Sequence, residues 1–303
     1  MSLHLSKKVW GICNNSIFIT GAARSGTTIM GKLIHSMEGV EYLFEPPQLF
    51  SLFTSREEIP ILTWKLLYET YLYEDFFVNS LAGRNLNYNL FDDSSIFQVK
   101  TEEEIKSRQI KSWGKQQIED LIAPRHRIAY KMPDVVNHVP FLKENYPGTQ
   151  VLAMVREPNN LIHSIQKKGW FTNKSLMNGN LLWPNYDYKN FKIPHFVKNV
   201  DAELFVEMEE LFRIGYYIQL MFEGISKIDN SIIVSYENFV KQPKEIMKDI
   251  AFKLNLTFGN KTDKLINEVN RKTPIIKEGL MEDLPINIQK NIDKLFTSIT
   301  KTI

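Results

Sequence analysis

The chain of 303 residues contains a single cysteine, Cys13. That excludes an intramolecular disulfide framework and fits a reducing compartment, the cytoplasm. Its 6 histidines are scattered. No H-x-H, H-E-x-x-H or C-x-x-C spacing occurs, so no metal site is expected. No apolar run is long enough to span a bilayer. The segment MSLHLSKKVWGICNN, which precedes the first expected strand, is too short and too polar for a membrane anchor or a signal sequence. The formal net charge is +2 and basic runs are missing, so no nucleic-acid footprint is expected. Linkers, repeats and low-complexity segments are missing as well. The chain therefore reads as one domain over residues 1–303, with a helical insertion over about 48–123 on the side of a second substrate.

What is present begins with Ser16–Thr28, SIFITGAARSGTT. An apolar strand runs into a tight glycine loop, and the loop opens a helix, TTIMGKLIHSM. Such a layout points bare backbone N–H groups and a helix N-terminus at one place, the usual way to hold a phosphate-like anion. Gly21 and Gly26 fall in register with the phosphate-cradling pattern G-x-x-x-x-G-K-[ST]. The lysine of that pattern is replaced by Thr27, and Arg24 is the only cation of the loop. No apolar strand ending in a magnesium-holding aspartate is evident either. A kinase needs both features, so a P-loop kinase is the weaker alternative.

A second element lies at Thr149–Gly169, TQVLAMVREPNNLIHSIQKKG. Val151–Val155 reads as a buried strand. Arg156 stands at its carboxyl end, and a helix follows from Pro158 with Ser164 in its early turns. Ligands of open α/β sheets bind at the carboxyl ends of strands. The Arg156 fork is placed to grip a second phosphate, with the Ser164 hydroxyl beside it. The plainer alternative is that Arg156 pairs with Glu157.

The two elements together resemble the sulfotransferase family. The matching residues are Arg24-Ser25-Gly26-Thr27-Thr28 for the [RK]SGTT loop, and Arg156 with Ser164 for the strand–Arg–x–Pro–Ser block. A third match is Ser231–Leu256, SIIVSYENFVKQPKEIMKDIAFKLNL, similar to the family's strand followed by YEDL, a proline and a helix. The resemblance implies that the loop holds the 5′-phosphosulfate of 3′-phosphoadenosine 5′-phosphosulfate (PAPS), and that Arg156 and Ser164 hold the 3′-phosphate. Tyr236 would lie on the adenine side. It also implies a hydroxyl-bearing acceptor (carbohydrate, lipid or small molecule), 3′-phosphoadenosine 5′-phosphate (PAP) as product, and no metal. A non-catalytic domain that binds PAP or PAPS is the alternative outside enzymes.

Three residues are candidates for the chemistry. Glu45 directly follows the second expected strand, so it shares the carboxyl edge with the loop. Its segment VEYLFEPPQLF resembles the FEP segment of the carbohydrate-sulfating branch, in which this glutamate is read as the general base. The flanking Phe44, Pro46 and Pro47 suggest a partly apolar setting. The plainer role for Glu45 is a loop cap or a partner of Arg24. Lys131, in YKMPDVVNH, could stabilise the leaving-group oxygen. His138 could touch the acceptor. The phenol-sulfating cytosolic branch carries K-T-H in the Lys131 block. Here Pro133 replaces that histidine, so the chain looks closer to the Golgi carbohydrate and protein type. In NRKTPIIKEG, Arg271 could close over the 3′-phosphate. Aromatics such as Trp64, Tyr68, Tyr73, Trp170, Trp183, Tyr186 and Tyr188 are expected around the acceptor.

The expected strands are Ser16–Thr20, Val40–Phe44, Arg127–Lys131, Gln150–Val155 and Ser231–Ser235. The expected helices are Thr27–Ser36, Ala202–Lys227, Lys244–Leu254 and Ile286–Thr300. Strands alternating with helices predict an α/β fold, a central parallel sheet of about five strands with helices on both faces, of the P-loop nucleotide-kinase-like sulfotransferase type.

Overall fold

The computed structural model describes residues 5–110, 114–122, 124–179, 184–269 and 278–301. Its centre is a five-stranded sheet of β1 (Ile17–Gly21), β2 (Val40–Phe44), β3 (Arg127–Lys131), β4 (Gln150–Val155) and β7 (Ile232–Ser235). The strands run parallel in the order β2-β3-β1-β4-β7. Each begins and ends within one residue of the expected span. Parallel strands covered on both faces must be apolar throughout, and every residue of β1 and β3 is buried.

The period of two along each strand sorts the core into two layers. Phe18, Ile128, Tyr130 and Val151 face α1 (Lys7–Asn14), α3 (Pro47–Thr54) and α4 (Ile61–Glu69). Ala153 and Val155, on the same face, lie under the helices Pro158–Gln166, Glu210–Ser226 and Ile286–Thr300. Ile17, Ile19, Ala129, Leu152 and Met154 point the other way. They pack under α2 (Thr27–Ser36) and the helices Pro243–Leu254 and Thr262–Val269. Helices thus cover both faces, as expected.

The chain leaves β1 for β2 on one edge and leaves β4 for β7 on the other. The carboxyl ends of the adjacent strands β1 and β4 therefore flank a topological switch point, where such sheets open a crevice for ligand.

Several expectations are corrected. The helix expected over Ala202–Lys227 is two, Ala202–Glu207 and Glu210–Ser226. The buried Arg213 guanidinium causes the break. It donates to Phe205 O at 2.8 Å and to Val206 O at 2.6 Å, and so satisfies carbonyls that a continuous helix would use internally. An antiparallel hairpin of β5 (Asn185–Tyr188) and β6 (Phe191–Pro194) was not anticipated, nor was α1, capped by Ser6 Oγ on Val9 N. Trp64, Tyr68 and Tyr73 do not line an acceptor pocket. All three are fully buried in the core, with Trp64 Nε1 donating to Leu52 O at 2.7 Å and Tyr68 hydroxyl 2.8 Å from that of Tyr130. Among the described residues no helix is long and apolar enough to cross a membrane.

Candidate active site

The glycine loop sits at the switch point, and two of its glycines are irreplaceable for steric reasons. Gly21 has φ +138°, and a Cβ there would lie 2.3 Å from Met154 O on the neighbouring strand. Gly26 has φ +90°, and its Cβ would meet the Tyr236 ring at 2.5 Å. Arg24 also takes a left-handed backbone, φ 73°. Gly26 then caps α2 without any side chain on the first turn, so the N-terminal N–H groups of α2 have no side-chain cap. Thr27 and Ser25 are buried, and Ser25 Oγ has no hydrogen-bond partner among the described residues.

The loop is tied down from behind. Ala23 N–H donates to Asp134 Oδ1 at 2.9 Å and to the Tyr217 hydroxyl at 2.6 Å, and that hydroxyl donates in turn to Asp134. Burial raises the Tyr217 pKa far above its usual range, and the Asp134 charge adds to the effect, so the phenol keeps its proton. Asp134 and Tyr217 went unassigned in the sequence, although Asp134 lies in the quoted YKMPD segment. The tie spans more than a hundred residues and leaves no local signature.

Arg156 follows β4, as expected. Its Nη1 donates to Arg24 O at 2.9 Å, its guanidinium lies over the Tyr236 ring at 4.8 Å, and its Nε is buried with no partner. Arg24 Nε donates to Ser164 Oγ at 3.3 Å. Arg24, Arg156, Ser164 and Tyr236 are therefore one cluster. Glu157 does not pair with Arg156. Its carboxylate caps its own helix, accepting from Asn159 N at 3.0 Å and Asn160 N at 2.8 Å. Among the described residues neither arginine has a carboxylate partner. Burial weighs against the charge of Arg156 and the nearby Arg24 adds to this, while Tyr236, Glu237 and Glu157 oppose it. A cavity of about 360 Å³ opens here, lined by Arg24, Gly26, Thr28, Arg156, Tyr236 and Glu268 among others.

Glu45 stands just past β2 in a left-handed conformation, φ 44°, its N–H donating to Lys131 O at 3.0 Å. Its carboxylate pairs with the Lys131 ammonium rather than with Arg24. Lys131, 1 % exposed, also donates to Thr28 Oγ1 at 3.1 Å and lies over the Phe44 ring at 4.1 Å. Burial pushes the Lys131 pKa down, and the Glu45 charge opposes this. One ammonium thus links the anion loop to the carboxylate. On the far side Glu45 lines a second cavity of about 290 Å³, with Ala23, Phe50, Ser51, Asp134 and Trp170.

His138 is not brought into this group. It caps the helix Val139–Asn145, lines neither cavity, and has its ring 6.1 Å from Phe53 and 6.3 Å from His195. Its Nδ1 and the His195 Nε2 are buried without hydrogen-bond partners among the described residues. Burial, then Arg56, pushes the His138 pKa down to about 4. Burial, then His138, takes His195 to about 3. Arg271 and Trp183 lie outside the described residues.

The profile of the Sulfotransferase family matches residues 16–260, and the chain belongs to that family. Membership supports sulfotransfer as its activity. No curated protein matches the chain. Several solved structures are similar. The sulfotransferase domain of the Synechococcus PCC 7002 olefin synthase is 17% identical over 95% of this chain and 94% of its own, with a TM-score of 0.46. The sulfotransferase domain from the curacin biosynthetic pathway is 18% identical over 94% and 97%, with a TM-score of 0.45. A sulfotransferase from Alicyclobacillus acidocaldarius is 14% identical over 94% and 95%, with a TM-score of 0.44.

Proposed function

We propose that the protein moves a sulfuryl group from PAPS to a hydroxyl acceptor. The observation that carries this reading is the pair of buried polar atoms Ser25 Oγ and Arg156 Nε, without a hydrogen-bond partner among the described residues, beside two arginines that form no ion pair with a described carboxylate. Buried polar groups without partners are rare and mark a place for a ligand. A loop of backbone donors and two neighbouring guanidinium groups at one cavity suit a polyanionic nucleotide, such as one with phosphates at both 5′ and 3′ positions. On this reading the Gly21–Thr28 loop holds the 5′ end. Arg156 and Ser164 hold the 3′-phosphate, and Tyr236 carries the base side.

The acceptor enters the cavity beside Glu45. Glu45 takes the proton of the acceptor hydroxyl as its oxygen bonds to sulfur. Lys131, Arg24 and the loop N–H groups face the oxygen that keeps the electron pair of the breaking S–O bond, where preorganised donors act most strongly. A sulfuryl group carries less charge than a phosphoryl group. One lysine and one arginine can therefore stand where a kinase uses a loop lysine and magnesium. Pro133 in place of the K-T-H histidine, together with Glu45, favours the glutamate base of the carbohydrate and protein branch of the family over the histidine base of the phenol branch.

Nucleotide binding tests the reading. PAP raises the melting temperature, and ATP with Mg²⁺ raises it much less. Arg156→Ala abolishes the preference for PAP over the same nucleotide without its 3′-phosphate, a loss of about 2–3 kcal/mol for a charge-assisted contact. An unchanged preference in that variant removes Arg156 from the 3′-phosphate site.

A further inference from the structure

A third cavity, of about 490 Å³, lies on the other side of α3. Its walls come from Leu49 and Leu52 of α3, Ile59 of the following loop, Leu67 of α4, and Tyr71 of the π-helix Thr70–Val78 that continues α4. The volume is in the range of ligand pockets. Two features separate it from a packing gap. It opens to solvent along Leu67, which is 48% exposed although it lines the cavity. One wall is also a π-helix, a rare widened turn that is frequent at functional sites.

Its position relative to Glu45 is the decisive point. Residues 48, 51 and 52 lie on one face of α3 and, with its C-cap Ser55, line this cavity. Pro47, Phe50 and Ser51 line the cavity that contains Glu45. The two faces meet at Ser51, which lines both cavities and carries a small, exposed side chain. A molecule whose hydroxyl reaches Glu45 can therefore pass over Ser51 and lay an apolar remainder against Leu52, Ile59 and Leu67. The charge at the far end of this cavity is negative, from Asp75. An anionic tail is disfavoured there.

We infer that the acceptor is an amphiphile: a hydroxyl head at Glu45 and an uncharged hydrocarbon tail in the cavity lined by Leu52, Ile59 and Leu67. The inference rests on the acceptor assignment proposed above and narrows it to one substrate class.

The test is calorimetric binding of straight-chain primary alcohols, butanol through decanol, to the PAP-loaded protein. Each added methylene raises affinity by about fourfold until the cavity is filled, the usual worth of a buried CH₂. ω-Hydroxydecanoate binds more weakly than decanol. Leu67→Glu places a charge in the mouth of the cavity at an exposed position, and Ser51→Trp closes the junction. Both flatten the chain-length slope and leave PAP affinity unchanged. A flat slope in the wild type, with PAP bound normally, overturns the amphiphile inference and leaves the sulfotransfer reading standing. A slope that both variants preserve overturns the placement of the tail. Failure of PAP to bind removes the sulfotransfer reading, and this inference with it.

Discussion

The cavity at the glycine loop and the cavity at Glu45 lie on either side of one buried ammonium, yet they are built in different ways. The loop side is made of backbone, short motifs and guanidinium groups within a few residues of strand ends. Gly21, Arg24, Gly26, Arg156 and Tyr236 all fall in β1, β4 or β7 or within five residues beyond them. The Glu45 side gathers Phe50, Trp170 and Pro184 from separate parts of the chain around two carboxylates, Glu45 and Asp134. A phosphate-like group needs a fixed array of donors, which a short loop can supply once it is braced from behind. An acceptor needs a shape, which only tertiary packing supplies. The comparison suggests that one half of the site is generic and the other half sets the acceptor.

Glu45→Gln breaks the comparison most sharply. It keeps the side-chain shape and removes the basicity. The expected result is a fall in kcat of about 10²–10⁴, the usual worth of a positioned base, with PAP affinity within a few-fold of wild type. His138→Ala is the matched control and loses far less. Steady-state kinetics of both variants against one acceptor decide it. A Gln variant within a few-fold of wild type alongside a collapsed His variant would reverse the roles.

Gly26→Ala attacks the other half. Its Cβ would meet the Tyr236 ring at 2.5 Å, at a φ that L side chains rarely adopt. Strain of this kind costs about 1–3 kcal/mol. It should appear both as a lower melting temperature and as weaker PAP binding, with KM for the acceptor little altered.

The pH dependence of stability should report the buried histidines: the pair His138 and His195, and His35, whose pKa burial, then Lys100 and Arg108, holds well below the usual range. His138 and His195 stay neutral in the fold, with pKa values pushed down to about 4 and about 3, against 6.5 for an ordinary imidazole. As pH falls below about 6.5 the unfolded chain takes up protons that the folded chain refuses. Stability is thus full above that pH and is lost as pH falls toward 4, by up to about 1.4 kcal/mol per pH unit for each imidazole. Denaturant melts between pH 7 and 4 (urea series) should show this slope, shallower by one proton in His138→Asn. The smallest effect is expected from EDTA. Transfer should proceed unchanged, because Arg24 and the loop N–H groups serve where a kinase needs a cation. Loss of activity restored by Mg²⁺ would favour the kinase reading instead.

The loop side was largely legible in the sequence because its signals are local. A strand run, two glycines five apart and an arginine at a strand end each occupy a handful of residues. The parallel sheet followed from the same alternation. Glu45 and Lys131 were each singled out by position, but nothing in a linear chain shows that residues 86 apart share a proton-bearing contact. Trp64 and Tyr68 show the limit on the other side. An aromatic stripe at helical spacing reads the same whether it covers a substrate or a core, and here burial under β3 decided for the core. The break at Met208 was hidden because its cause is the side chain of Arg213, whose carbonyl partners lie in the helix before it.

The Ala23 amide has a consequence for how the motif can be used. Its two acceptors stand 111 and 194 positions further along the chain. The final shape of the loop therefore depends in part on the docked helix Glu210–Ser226, which carries Tyr217. Transplanting Ser16–Thr28 into another sheet would carry the motif and leave its brace behind, and expressing the first two hundred residues alone would keep Asp134 but lose Tyr217. Amide exchange at Ala23 should therefore track the opening of the helix Glu210–Ser226 and not the fraying of α2.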